Sequence, residues 1–260
     1  MPLQPQAVWG GHNPPPGSGG TTGYICPRVT AAPVLSGVKF RGCCDLESGF
    51  HDGDFVSTWT DQSGSGNHAT GSGSNRPLWV TATGDIQRPA LAFTASGVSY
   101  LSLPSITYNP SSFTIALALR PTGNDASYLL KFSGGSYLWS DTGDTMHVIR
   151  GANASDKNLS AAWLYQSDQL HPKVVLWQYG GTHATHTLRL NGAAQTLSDG
   201  TPTDDPGTGS VTETCQIGGN GTLALDAQLY ELWVISPVLS AGDRTLLEDY
   251  LYDAYCVGRF

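Results

Sequence analysis

The chain has 260 residues, within reach of one large all-β domain, so its length alone does not demand two. Only 13% of residues are charged, about half the globular average of ~25%, and 32 Gly and 16 Pro stand among many Ser, Thr and Asn. Such a composition suits short strands joined by tight turns, not long surface helices that need Glu and Lys for i,i+4 pairing. Net charge is -8 and the pI is near 5.2, with 13 basic residues against 21 acidic ones and no Lys/Arg cluster. Without a basic footprint to displace counterions, neither nucleic acid nor an anionic membrane surface is an expected partner. No apolar run approaches the ~18–20 residues of a membrane span, so no membrane insertion is expected either.

Residues 1–34 stand apart as a Pro/Gly-rich arm. The run PPPGSGG, Pro14 to Gly20, is a linker by composition: Pro stiffens it, Gly and Ser loosen it, and nothing in it can pack a core. Ahead of it lie Leu3, Val8 and Trp9. An exposed Trp on an arm is costly unless it docks, so these three are the expected docking residues, either on the arm's own domain or on a partner subunit. The start, MPLQPQAVWGGHNPPPG, has neither the basic residues nor the hydrophobic stretch of a secretory signal. That points to a chain made and folded in a reducing cytosol. Cys26, Cys43, Cys44, Cys215 and Cys256 are odd in number, two are adjacent and no CxxC occurs, so all five read as small buried hydrophobes.

From Leu35 the pattern becomes short β-type runs between turn residues, and residues 35–260 read as one domain. VKFRGCC, FVSTW, PLWV, PALAF and YLSLP come first, with the polar stretch DQSGSGNHATGSGSN among them. SFTIALALR is the cleanest strand: Phe113, Ile115, Leu117 and Leu119 on one face, Thr114, Ala116 and Ala118 on the other. SYLLKF, SYLWS, TMHVIR, AAWLYQ, VVLWQY and HTLRLNG continue the series, and Asn191-Gly192 reads as a type I′ hairpin turn. In the last strand, strict alternation puts Leu225, Ala227, Leu229, Glu231 and Trp233 on one side, with Asp226, Gln228, Tyr230, Leu232 and Val234 on the other. Only the C-terminus reads as helix, with Ser240 as N-cap, Asp243 three residues on, and Leu246, Leu247, Tyr250, Leu251 and Ala254 at helical spacing.

The run Trp59-Thr60-Asp61-Gln62-Ser63-Gly64-Ser65-Gly66-Asn67-His68-Ala69 carries a resemblance, extended in order by Arg76-Pro77, Arg88-Pro89, Leu91-Ala92-Phe93, Phe113-Thr114-Ile115, Leu188 to Gly192 and the closing strand and helix. Residues 36–257 resemble the laminin-G-like branch of the concanavalin A-like lectin/glucanase superfamily, of the type found in bacteriophage virion proteins. The resemblance implies an all-β, concanavalin A-like jelly-roll β-sandwich with one C-terminal α-helix, preceded here by the extended arm. Within the run, Trp59 anchors a core edge. Asp61, Ser63 and Asn67 sit about a turn in which Gly64 and Gly66 permit positive φ, a structural role.

Some relatives of this fold are glucanases, whose retaining hydrolysis needs two carboxylates on one strand face ~5 Å apart, written E-x-D-x-x-E in that family. None of Glu47, Glu213, Glu231 or Glu248 begins that pattern, and Asp226 and Glu231, five apart, fall on opposite faces of a regular strand. No G-x-S-x-G elbow occurs, and no catalytic residue is assigned. His183 and His186, three apart, read as solvent-facing residues rather than a metal pair. No metal or cofactor is expected, and calcium, which some laminin-G-like relatives hold, would have to use loop carboxylates such as Asp141, Asp144, Asp204 and Asp205.

Aromatic pairs offer a candidate binding face. Tyr137 and Trp139 share one side of their strand, Trp163 and Tyr165 one side of theirs, and Trp177 and Tyr179 one side of theirs. If Leu164 and Leu176 point inward, six aromatic rings lie together on an outer sheet face, where they could stack on sugar rings; the alternative is that these rings are core. The expected function is therefore a non-catalytic virion module, a capsid decoration or attachment protein assembled in the host cytoplasm. Its arm would dock on other virion proteins while the sandwich faces outward toward host surface glycans, with homo-oligomer formation open. The alternative is a free carbohydrate-binding lectin module of a tail fibre or a secreted bacterial protein.

Overall fold

The computed structural model describes residues 31–83, 86–96, 99–123, 126–140, 145–149, 161–162, 171–181, 185–197, 209–219 and 225–257. Sixteen strands are found among them: β1 Val38–Cys43, β2 Thr58–Trp59, β3 Ala69–Thr70, β4 Leu78–Thr83, β5 Arg88–Phe93, β6 Leu101–Tyr108, β7 Ser112–Pro121, β8 Ser127–Phe132, β9 Tyr137–Ser140, β10 Thr145–Ile149, β11 Ala161–Ala162, β12 Lys173–Gly180, β13 Thr187–Leu190, β14 Ala193–Ala194, β15 Val211–Ile217 and β16 Ala227–Ile235. One α-helix, α1, spans Ala241–Tyr255, and a single 3-10 turn covers Cys44–Leu46.

The strands form two antiparallel sheets. The first runs β14-β13-β12-β7-β16-β5-β4, and the second β11-β10-β9-β8-β15-β6-β3-β2. In the first sheet β16 pairs along its length with β7. On its other edge it pairs with β5 through Ala227–Leu229 and with β1 through Glu231–Ile235.

Burial explains why the strands of the two sheets differ in composition. The first sheet is covered on both faces, by the second sheet on one side and by α1 on the other, so its central strands are buried and mostly apolar on both faces. In β7, Phe113, Ile115, Leu117 and Leu119 enter the core between the sheets, while Ala116 and Ala118 face the cluster under α1. The alternation read from the sequence holds here, and small Ala side chains leave room for the helix. Leu247, Leu251, Ala254 and Tyr255 of α1 pack in that same cluster. By contrast β6 and β9 alternate buried and accessible residues, the mark of a sheet with one face turned away from the core.

The alternation in β16 departs from the expectation. A register shift between Leu229 and Glu231 opposes them to consecutive residues of β7, Leu119 and Ala118. This extra residue moves Leu232 and Val234 into the inter-sheet core beside Ala227 and Leu229, and places Tyr230, Trp233 and Ile235 beneath α1. Sequence parity alone cannot see a bulge.

The turns behave as their residues dictate. Asn191 (φ 47°) and Gly192 (φ 78°) both take positive φ and join β13 to β14 in a two-residue hairpin. Ser240 Oγ caps α1 by accepting from the Asp243 amide at 3.1 Å, while its hydroxyl donates to the Asp243 carboxylate.

The cysteine expectation needs correction. Cys43, Cys44 and Cys215 are free and buried, as expected, but Cys256 is disulfide-bonded to a partner outside the described residues. Burial pushes all three free thiols up, Cys43 to about 12, so little reactive thiolate exists near neutral pH. Cys26 lies outside the described residues. The folded protein is expected to resist alkylation, to yield three titratable thiols when unfolded without reductant, and to yield all five after reduction. Five thiols before reduction would refute the bond.

Candidate functional site

The six-aromatic face predicted from the sequence does not form as one surface. Trp177 and Tyr179 are fully buried in the core between the sheets, where Trp177 meets Phe113 edge-on at 4.8 Å and Tyr179 stacks on it at 5.9 Å. The reason is α1. It covers the other face of β12, so Val174 and Leu176 lie under the helix and the aromatic side of the strand must face inward. Trp163 and Tyr165 lie outside the described residues, as do Leu3, Val8 and Trp9 of the arm. His186 is also buried, not solvent-facing, with its ring 3.9 Å from that of Tyr179; His183 lies outside the described residues. So do the loop carboxylates Asp141, Asp144, Asp204 and Asp205, and no cluster of metal-ligating side chains occurs among the described residues.

Tyr137 and Trp139 of β9 are half-buried on the face of the second sheet that turns away from the core, since their neighbour Leu138 is in the core. Two residues of β8 join them. Tyr128 lies opposite Trp139 and Lys131 opposite Tyr137. The ring of Tyr128 meets Tyr137 edge-on at 5.3 Å and lies 6.2 Å from Trp139, and the Lys131 ammonium sits 5.3 Å from the centre of the Tyr128 ring.

Tyr128 and Lys131 are three apart and would fall on opposite faces of a regular strand. A register shift between Tyr128 and Leu130 lets Leu129 and Leu130 both enter the core, so their flanking residues both face outward.

The register extends this surface across the sheet. Tyr137 opposes Lys131, Lys131 opposes Gln216 of β15, Gln216 opposes Ser102 of β6, and Ser102 opposes Thr70 of β3. Five strands at about 4.8 Å spacing make a row about 20 Å long. Among the described residues no hydrogen bond engages the side chains of Gln216, Ser102 or Thr70. The result is an aromatic end, a cation, and a line of groups that can donate and accept hydrogen bonds.

The Gly-rich turn after β2 is organised from within. Asp61 accepts from the amides of Arg41 (3.0 Å), Ser63 (2.9 Å) and Asn67 (2.9 Å), and Asn67 donates its side-chain amide to the Lys39 carbonyl. Gly64 (φ 83°) and Gly66 (φ 75°) supply the left-handed conformations between them. Trp59 is fully buried against Phe40, and its ring lies so close to Gly42 that a Cβ there would come within 2.6 Å. Both carboxylate oxygens of Asp61 are thus spent on backbone amides of its own loop and of β1, which is a structural arrangement. Burial pushes the Asp61 carboxyl up, but hydrogen bonds from Ser63, Arg41 and Asn67 outweigh it and hold the group below the usual carboxylate range. A depressed folded pKa contributes stability above the unfolded value of about 3.9 that is lost as pH falls through the folded one. Urea titrations are therefore expected to show a shallower acid loss in Asp61→Asn than in wild type over that window; parallel curves would refute the assignment.

Two further places merit comparison. A cleft of about 450 Å³ is lined by Pro33, Leu35, Val38, Arg41, Gln62 and Trp233. Arg41 there is already committed to Glu231 and Tyr250. The carboxylates tested for hydrolysis stay apart in role: Asp226 accepts from the Ala95 amide at 2.7 Å, while Glu231 is sealed beneath α1 among Arg41, Tyr250, Tyr255 and Trp233.

No protein-family model matches the chain, and no curated protein sequence matches it. Solved structures do resemble it. One is domain 4 of AbnA, an extracellular GH43 arabinanase from Geobacillus stearothermophilus, in complex with arabinotriose, at 12% identity and TM-score 0.55 over 83% of this chain and 98% of that one. The chain is an all-β sandwich. The binding domain of botulinum neurotoxin DC in complex with SialylT matches with 9% identity and TM-score 0.55, over 83% of this chain and 52% of that chain. The Trypanosoma rangeli sialidase in complex with sialic acid matches with 13% identity and TM-score 0.51, but this sandwich spans only 36% of that chain's length. At these identities the likeness establishes the fold.

Proposed function

We propose that the chain is a non-catalytic carbohydrate-binding module that holds glycans on the outer face of its second sheet. The observation that carries this reading is the row from Tyr137 through Lys131 and Gln216 to Ser102 and Thr70, flanked by Tyr128 and Trp139. Aromatic faces stack on sugar rings, and the polar groups beside them can pair with hydroxyls. The arabinanase domain adds support, because the likeness covers nearly that whole domain and its structure holds arabinotriose. The neurotoxin binding domain with SialylT points the same way. The test is an oligosaccharide array probed with the full chain, followed by calorimetry on the sugars it retains. Saturable binding supports the reading, and an array with no retained sugar overturns it.

The finer reading places this module on a phage particle, of the laminin-G-like type, with residues 1–34 docking it to other virion proteins. The observation favouring it is the arm's composition, which can gain contacts along a surface without a core of its own. The disulfide at Cys256 fits an oxidising surface, a virion exterior included, better than a reducing cytosol. Full-length chain and a variant lacking residues 1–34 would each be mixed with particles stripped of this protein. Binding by the full-length chain alone supports the tether; equal binding or none overturns it.

A further inference from the structure

We propose that the outer face of the second sheet selects acidic sugars, glycans bearing a carboxylate or sulfate, through Lys131. This rests on the glycan reading above and names the substrate class of that same face.

Lys131 stands between Tyr137 and Gln216 in the row, with its ammonium against the Tyr128 ring, so any sugar lying along the row covers it. Among the described residues its charge has no acidic partner. Arg41, Arg88 and Arg189 each hold a carboxylate at 2.9, 2.6 and 2.7 Å. Among the described residues no carboxylate lies within ion-pair distance of Lys131. The acidic residue nearest in sequence on the adjoining strand, Glu213, takes its hydrogen bond from Tyr108 at 2.8 Å.

A protein with a net charge of -8 has acidic groups to spare, yet leaves this cation with a ring as its neighbour. A neutral glycan laid over Lys131 would strip water from the ammonium and return no counter-charge, which is unfavourable. A ligand carrying an anion at that point supplies the missing partner, and its sugar ring meets Tyr137 and Tyr128 beside it. The overall negative charge does not prevent this, because fields beyond about 8 Å are screened at physiological salt.

The test uses the full chain with matched oligosaccharides: a neutral one, its uronic-acid counterpart and its sulfated counterpart, each titrated at low and high salt. Wild type is expected to bind at least one acidic form ten-fold or more tightly than the neutral form, with the gap narrowing in salt. Lys131→Met keeps an aliphatic stem on the Tyr128 ring and is expected to remove the gap, bringing the affinity for the acidic form down to that for the neutral one. Which acidic partner shows the gap identifies carboxylate or sulfate as the source. Equal affinity of wild type for neutral and acidic forms, or a preference that survives Lys131→Met, overturns the selectivity and leaves the glycan reading standing. Absence of binding to every sugar overturns both.

Discussion

Glu231→Ala is expected to destabilise the sandwich by about 3–5 kcal/mol, the range for breaking one side of a buried ion pair. Glu231 is fully buried on β16, where the bulge turns it toward α1. It accepts from Arg41 Nε at 2.9 Å, the Tyr255 hydroxyl at 2.9 Å, the Tyr250 hydroxyl at 3.0 Å and Trp233 Nε1 at 3.0 Å. Burial opposes the Arg41 charge, yet Glu231 beside it raises the guanidinium pKa above its ordinary value. Removing the carboxylate strands a cation and three donors between β1, β16 and the helix. The cation would keep its place over the Trp233 ring, 4.6 Å from its centre, but that contact is worth about 0.5–2 kcal/mol and cannot replace the pair. Urea unfolding followed by circular dichroism measures the loss. A shift below about 1 kcal/mol would mean that α1 is not held by this network.

The double variant Tyr137→Ala/Trp139→Ala is expected to weaken glycan affinity at least a hundred-fold, about 2.7 kcal/mol, with a much smaller cost in stability. Both side chains are half-buried on a face outside the two core clusters. Trp177→Ala makes the opposite prediction. Its ring is in the inter-sheet core, so the change is expected to cost about 3–5 kcal/mol of folding while protein that remains folded binds with wild-type affinity. If Trp177→Ala abolished binding in folded protein, or the double variant bound normally, the site would lie elsewhere.

These contrasts mark what the sequence could reveal. Strict alternation in β7 and the Asn191-Gly192 turn announced their structure because local pattern and tertiary environment agree there. The helix after Ser240 was legible for the same reason. The outer face was half legible. Tyr137 and Trp139 could be placed on one side of a strand, but the decision between core and surface for Trp177 and Tyr179 depended on which sheet α1 would cover, a fact no local window contains. Tyr128 and Lys131 were missed because a bulge at Leu129–Leu130 breaks the parity on which face assignment depends. Gln216, Ser102 and Thr70 were missed because only cross-strand register brings them into line. The β16 bulge hid the Glu231 network in the same way. No sequence signal marks either bulge.

The most direct test of the account is hydroxyl-radical footprinting of the full chain with and without a saturating oligosaccharide identified on the array. Protection confined to Tyr128, Tyr137 and Trp139 is the predicted result, with half-exposed Phe55 unchanged as an internal control. Protection centred on Leu35 and Val38 in the cleft, with the second-sheet aromatics unaltered, would contradict the account and move the binding site across the molecule.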